Sequence, residues 1–137
     1  MQLNILTDYA IRMVLYLAAV DRPASASEIS AGMSIPQSSI TTAIFPILRK
    51  TGIIAALRGT NGGYVLARRP DKISLGEIIE LMEGTTRINH CMEDDHYCSR
   101  GAIEDCPVRK FYMQIQAGID KIFQEQTVAT LLQETEL

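Results

Sequence analysis

The sequence predicts a mainly α-helical domain carrying one small β-hairpin, extended by a single long C-terminal helix. Three observations carry that prediction. Apolar residues recur at helical spacing in three successive segments before residue 52, two strand-like runs flank the turn-rich stretch "RGTNGG", and a further apolar stripe repeats behind Pro107. At 137 residues and 47% hydrophobic, the chain suffices for one compact domain with an extension.

The first helix is expected in "TDYAIRMVLYLAAV", where Tyr9, Met13, Tyr16, Leu17 and Val20 share a face and Thr7 is the candidate cap. Pro23 breaks the chain, and Ser25 with Glu28 three residues on has the spacing of a capping box, so a short second helix should end near Gly32. The third helix, "QSSITTAIFPILRKTG", places Ile40, Ile44, Ile47 and Leu48 at helical spacing and stops at Gly52. Pro46 lies inside this pattern. It should remove a backbone hydrogen bond and kink the helix near residue 45, ending the reading segment there.

Two short helices joined by a tight turn are the core of a helix-turn-helix. In "IIAALRGTNGGYVLAR", Asn61-Gly62 is a strong hairpin signal, and adding that hairpin gives a winged helix-turn-helix. Charge fits this assignment. Net charge is −3 overall, yet residues 1–70 hold seven basic and three acidic side chains (+4), whereas residues 71–137 hold six and thirteen (−7). The first part is therefore expected to face a polyanion. Gln37, Ser38, Ser39, Thr41 and Thr42 would offer short donors and acceptors to base edges or phosphates, joined by Arg49 and, from the wing, Arg58, Asn61, Gly62 and Gly63.

Downstream, "ISLGEIIELMEG" reads as a short amphipathic helix with Leu75, Ile78, Ile79 and Met82 on one face, expected to pack on the wing. The long helix starts at Pro107 and carries Val108, Phe111, Tyr112, Ile115, Ile119, Ile122 and Phe123. Such a stripe needs a partner. A two-fold mate would bury it and supply paired recognition helices for a palindromic site on double-stranded DNA. Thr127 should cap a last short helix in "TVATLLQ". The expected organisation is thus 1–84 as the DNA-binding domain, 85–106 as a cysteine-bearing loop, and 107–137 as the dimerisation helix and tail.

The stretches "TDYAIRMVLYLA", "IP" before the third helix, "LRKTGII" and "RGTNGGYVLARRPDKISLGEIIELMEG", with three cysteines, resemble the Rrf-type winged-helix transcriptional regulators, the family of IscR, NsrR, RirA and CymR. The resemblance spans nearly the whole chain. It implies a homodimeric DNA-binding repressor or activator with a long helix crossing between subunits and, as in many members, a cluster held by three cysteines; interplay with RNA polymerase would follow. Two departures stand out. The third helix is one residue longer than the family's usual spacing, and Thr51 replaces the usual alanine.

All three cysteines, Cys91, Cys98 and Cys106, lie in "CMEDDHYCSRGAIEDC" with six and seven residues between them. The paired C-x2-C knuckles of a structural zinc site are missing, whereas three widely spaced thiolates suit an iron-sulfur cluster, [2Fe-2S] or [4Fe-4S], with one position left for sensing iron, redox state, oxygen or nitric oxide. For a fourth ligand, His90 and His96 are local candidates. The resemblance to NsrR-like proteins adds Asp8, while the histidine that IscR-like proteins place three residues after the third cysteine is here Arg109. The alternative is a metal-free regulator controlled by thiol redox chemistry or by a protein partner. No nucleophile-base set or phosphate-cradling loop points to an enzyme. Asp8 and Arg12 interrupt the apolar start, and no run reaches the roughly 20 apolar residues of a membrane span, so a cytoplasmic location is expected.

Overall fold

The computed structural model of the protein describes residues 1–134. Helix α1 (Ile5–Val20) begins earlier than expected, because Asn4 rather than Thr7 is its cap and accepts from the Leu6 N–H. Thr7 is fully buried instead, and its hydroxyl donates to Glu83 at 2.6 Å. Helix α2 (Ala26–Met33) is capped by Ser25, which accepts from the Glu28 N–H as its spacing predicts. The other half of the capping box is absent. The Glu28 carboxylate turns to both terminal nitrogens of Arg22 and to the Tyr16 hydroxyl, and these partners hold it below the usual carboxylate range, Arg22 foremost.

Helix α3 (residues 37–50) runs through Pro46 without ending. It consists of an α-helical turn at Gln37–Ser39, a π-helical turn at Ile40–Ile44, and an α-helical stretch at Phe45–Lys50. The π turn explains the difference from the sequence expectation: Pro46 sits at the start of a new α segment, where a missing N–H costs little. The wing is an antiparallel pair, β1 (Ile54–Leu57) and β2 (Gly63–Leu66), with Leu57 opposite Gly63. Its loop is therefore the five residues 58–62, longer than the two-residue turn that Asn61-Gly62 suggests. The left-handed position belongs to Gly59 (φ 107°), whose carbonyl accepts from the Gly62 N–H. Gly62 serves close approach, since a Cβ there would strike the Leu57 carbonyl. Ala24 pairs in both directions with Tyr64, docking the α1–α2 connection on the wing's edge.

Helix α4 (Leu75–Glu83), capped by Ser74 and closed by Gly84 at φ 84°, packs on α1 and on the long helix α5 (Pro107–Glu125) rather than on the wing. Gly76 permits this, because a Cβ there would lie 2.6 Å from that of Phe123. Behind α5 the chain returns antiparallel to residues 73–75, with Leu75 N–H on Gln126 O and Val128 N–H on Ile73 O, each 2.9 Å. Helix α6 (Val128–Gln133), capped by Thr127 as expected, then packs on α1. One contiguous core results, built on Met13, Val14, Ile29, Ile40, Ile44, Leu48, Ile53, Ile78 and Val128.

Candidate DNA-reading face and cysteine site

The outer face of α3 exposes Gln37, Ser38, Thr41, Thr42 and Arg49; Ser39 is half-buried. Across the wing loop, Arg58 and Asn61 are exposed, while Gly62 and Gly63 are partly covered. Phe45 and Tyr64 join the two parts, their rings 4.7 Å apart, and the Arg49 guanidinium lies 5.9 Å from the Phe45 ring centre. That stack restrains Arg49 at the outer face. Electrostatics single out the same region. Arg12, Arg22, Arg68 and Arg69 pair with Asp8, Glu28, Glu77 and Asp71, whereas Arg49, Lys50 and Arg58 enter no ion pair found among the described residues. Within residues 1–70, the positive charge left for a polyanion therefore lies on α3 and the wing tip.

Residues 85–106 fold over the start of α5 as an irregular loop with a 3-10 turn at His90–Met92. The structure brings all three cysteines to one pocket of about 330 Å³, lined also by His90, Tyr97, Arg109 and Tyr112. All three are free thiols and half-buried. The Cys98 thiol is lowered from its ordinary value because the backbone N–H groups of Ala102 and then Arg100 point at it, with help from the Gly101 N–H and the Arg100 charge and against a burial penalty. Asn89 Nδ2 donates to Cys91 Sγ at 3.3 Å. Among the described residues no three His, Cys, Asp or Glu side chains converge on a single-ion site.

The fourth-ligand candidates are placed differently. His90 lines the pocket, bonded to Asp95 at 2.8 Å and stacked on Tyr97. His96, exposed and left-handed at φ 49°, does not line it. Asp8 is on α1, paired with Arg12 at 2.6 Å, and is likewise outside the pocket. Arg109 does not substitute for a ligand; its Nε donates to the Cys91 carbonyl at 3.3 Å and braces the loop.

A helix-turn-helix with a β-hairpin wing, followed by a long helix, has known counterparts. The family model described as Rrf2, iron-dependent transcriptional regulator, matches residues 3–134. The chain belongs to the Rrf2 family. It is similar to the HTH-type regulator NsrR of Halalkalibacterium halodurans, 31% identical over 97 residues, 69% of this chain and 66% of that protein. Its fold matches CymR, the global cysteine regulator of B. subtilis, at a TM-score of 0.83 and 23% identity over 99% of both chains. T. potens IscR matches at 0.74 and 24%, over 99% of this chain and 89% of that one. As a member of the Rrf2 family the protein is a DNA-binding transcriptional regulator and not an enzyme. None of its helices among the described residues is long and apolar enough to cross a membrane.

This Rrf2 chain ties its cysteine loop to α5 through residues that periodicity did not reveal. Gln116, 2% exposed, accepts from the Ile88 N–H and donates to Thr86 O and Asp120, each at 2.9 Å. Arg87 adds a two-pronged contact to Asp120. A polar residue on an otherwise amphipathic helix carried no sequence signal for this role. The apolar stripe of α5 also divides in two. Tyr112, Ile119 and Phe123 are half-covered by their own chain, whereas Val108, Phe111, Ile115 and Ile122 are exposed, the last at 59%.

Proposed function

We propose that the protein is a cytoplasmic homodimer that binds a palindromic operator in double-stranded DNA, and whose binding is set by an iron-sulfur cluster held by Cys91, Cys98 and Cys106. The observation that carries the cluster assignment is that three free thiols line one pocket against α5. A cluster bound there would supply a tie among the thiolates that breaks on oxidation, nitrosylation or iron loss. The chain's own residues supply the rest: backbone N–H groups favour the thiolate form of Cys98, Arg109 braces Cys91, and Gln116 fixes the loop's entry to the dimer helix. His90 is the candidate fourth ligand nearest at hand within one chain; Asp8 would have to come from the partner subunit, and His96 would require the loop to reorder.

Val108, Phe111, Ile115, Gly118 and Ile122 follow alternating steps of three and four residues on the exposed side of α5. That is the spacing of a helix-helix seam, and its glycine allows close crossing. A two-fold mate seated there would place two α3 helices for adjacent half-sites, from which the regulator would act on RNA polymerase at a promoter. The expected organisation, residues 1–84 reading DNA, 85–106 sensing, 107–137 pairing, is retained in this proposal.

The lowered Cys98 thiol favours a second reading, a metal-free thiol switch, since a thiolate is the form that oxidises. Oxygen-free purification followed by iron, acid-labile sulfide and visible spectroscopy separates the two. Iron and sulfide together, both lost in Cys98→Ala, are expected. Absence of both after anaerobic reconstitution, with reversible oxidation mapped to Cys98, establishes the thiol switch instead.

A further inference from the structure

Helix α3 combines a π turn in the middle of a reading helix with two threonines whose hydroxyls point back into it. Ile40, Ile44 and Leu48 are all completely buried at a strict spacing of four residues. In an uninterrupted α-helix, at about 100° per residue, the third of these would lie about 80° away from the first. The π turn, in which the Phe45 N–H reaches back to Ile40 O, takes up that drift. The exposed positions inherit the same alignment, so Arg49 stays in line with Gln37 and Thr41, and Lys50 with Ser38 and Thr42.

The two threonines on this turn bond back into the helix, which sets what they offer outward. Thr42 Oγ1 donates to Ser38 O at 2.6 Å, and Thr41 Oγ1 lies 3.3 Å from Ser38 O and 3.4 Å from Gln37 O. A hydroxyl has one hydrogen and two lone pairs. With the hydrogen engaged inside the helix, Thr41 and Thr42 present only lone pairs and a methyl group outward. Pro46, exposed one turn further along, has no N–H either. The middle of the reading face is thus without donors, while Gln37 and Ser38 before it and Arg49 beyond it carry them.

We propose that Thr41 and Thr42 are specificity-determining residues that accept from the exocyclic amino group of adenine or cytosine on the strand facing them in the major groove. Guanine O6 and N7 and thymine O4 are acceptors and would meet lone pairs. The thymine methyl remains a neutral neighbour for the threonine methyls. This inference rests on the DNA-reading role of α3 and adds the class of base that its centre selects.

The test is selection from a randomised DNA library by the full-length protein and by Thr41→Val and Thr42→Val, which keep shape and methyl and lose the lone pairs. Wild type is expected to enrich adenine or cytosine at one or two positions in each half-site. In the valine variants that preference should fall roughly tenfold, a hydrogen bond's worth, with unchanged salt dependence on random DNA. Thr42→Ser, which keeps the hydroxyl, should retain it. A complementary measurement needs no variant: replacing a selected adenine by purine, which lacks the amino group, should weaken wild-type binding to a similar extent. Selected sequences identical in wild type and both valine variants, or an operator indifferent to the purine replacement, would overturn the assignment. A wild type that selects no sequence at all would overturn operator reading itself, and this assignment with it.

Discussion

Replacing Gln116 by leucine removes the amide that holds the cysteine loop to α5 while nearly preserving side-chain volume. Three hydrogen bonds of 2.9 Å are lost, and two backbone groups, the Ile88 N–H and the Thr86 carbonyl, are left facing an apolar side chain. An unsatisfied buried polar group costs about 1–3 kcal/mol. For the two groups together, and allowing about 1 kcal/mol for the added apolar burial, the net loss is about 1–5 kcal/mol, with about 3 at the middle. The neighbouring Arg87–Asp120 pair gives the internal scale. Its side chains are 31% and 33% exposed, so Arg87→Ala should cost no more than about 1 kcal/mol. At fixed protein concentration, Gln116→Leu should lower the thermal midpoint by roughly 10 °C, the middle of that range, and by more than Arg87→Ala does. Hydrogen exchange should locate the loss, with the Ile88 amide losing protection before the α1 core. Equal midpoints for the two variants, or an Ile88 amide as protected as in wild type, would refute the clamp.

Other expectations follow from the same geometry. The double change Ile115→Asp and Ile122→Asp, at positions 39% and 59% exposed, should leave the folded chain intact and yield a monomer in sedimentation, with weakened binding to a two-half-site operator. Arg58→Ala, on the wing loop, should weaken DNA binding to all sequences and reduce the salt slope by about one unit; an unaltered slope removes it from the phosphate contacts. Glu28 is held below its ordinary value by Arg22 and Tyr16, so its share of stability is present above about pH 4.5 and lost as pH falls through the lowered folded value. The Glu28→Gln midpoint should accordingly be lower than wild type near neutrality and converge with it under acid, as followed by thermal denaturation across pH.

Much of the fold was legible because each signal acted within a few residues. Ser25 and Thr127 cap the helices that their spacing announces, and Pro107 opens α5. The misreadings arose where two local signals competed. Thr7 and Asn4 are both good caps, and Thr7 is taken up by Glu83, 76 residues away, which no local rule detects. Pro46 is a breaker in an α-helix, but a π turn just before it lets the helix continue. The candidate site was legible to the same degree: the reading residues and the three cysteines were visible as types and spacing, but Phe45, Tyr64 and Gln116 were not. Their roles depend on partners brought in from distant segments.

Element order, the charge division between the two parts of the chain, and the presence of three thiols in one segment follow from composition and short-range periodicity, which are properties of the chain alone. Which side of α5 stays open, which arginines remain unpaired, and the placing of Cys91, Cys98 and Cys106 around a single pocket emerge on packing. Those outcomes depend on contacts between residues far apart in the chain. A cation is free or neutralised, and a helix face covered or exposed, only once distant segments have packed.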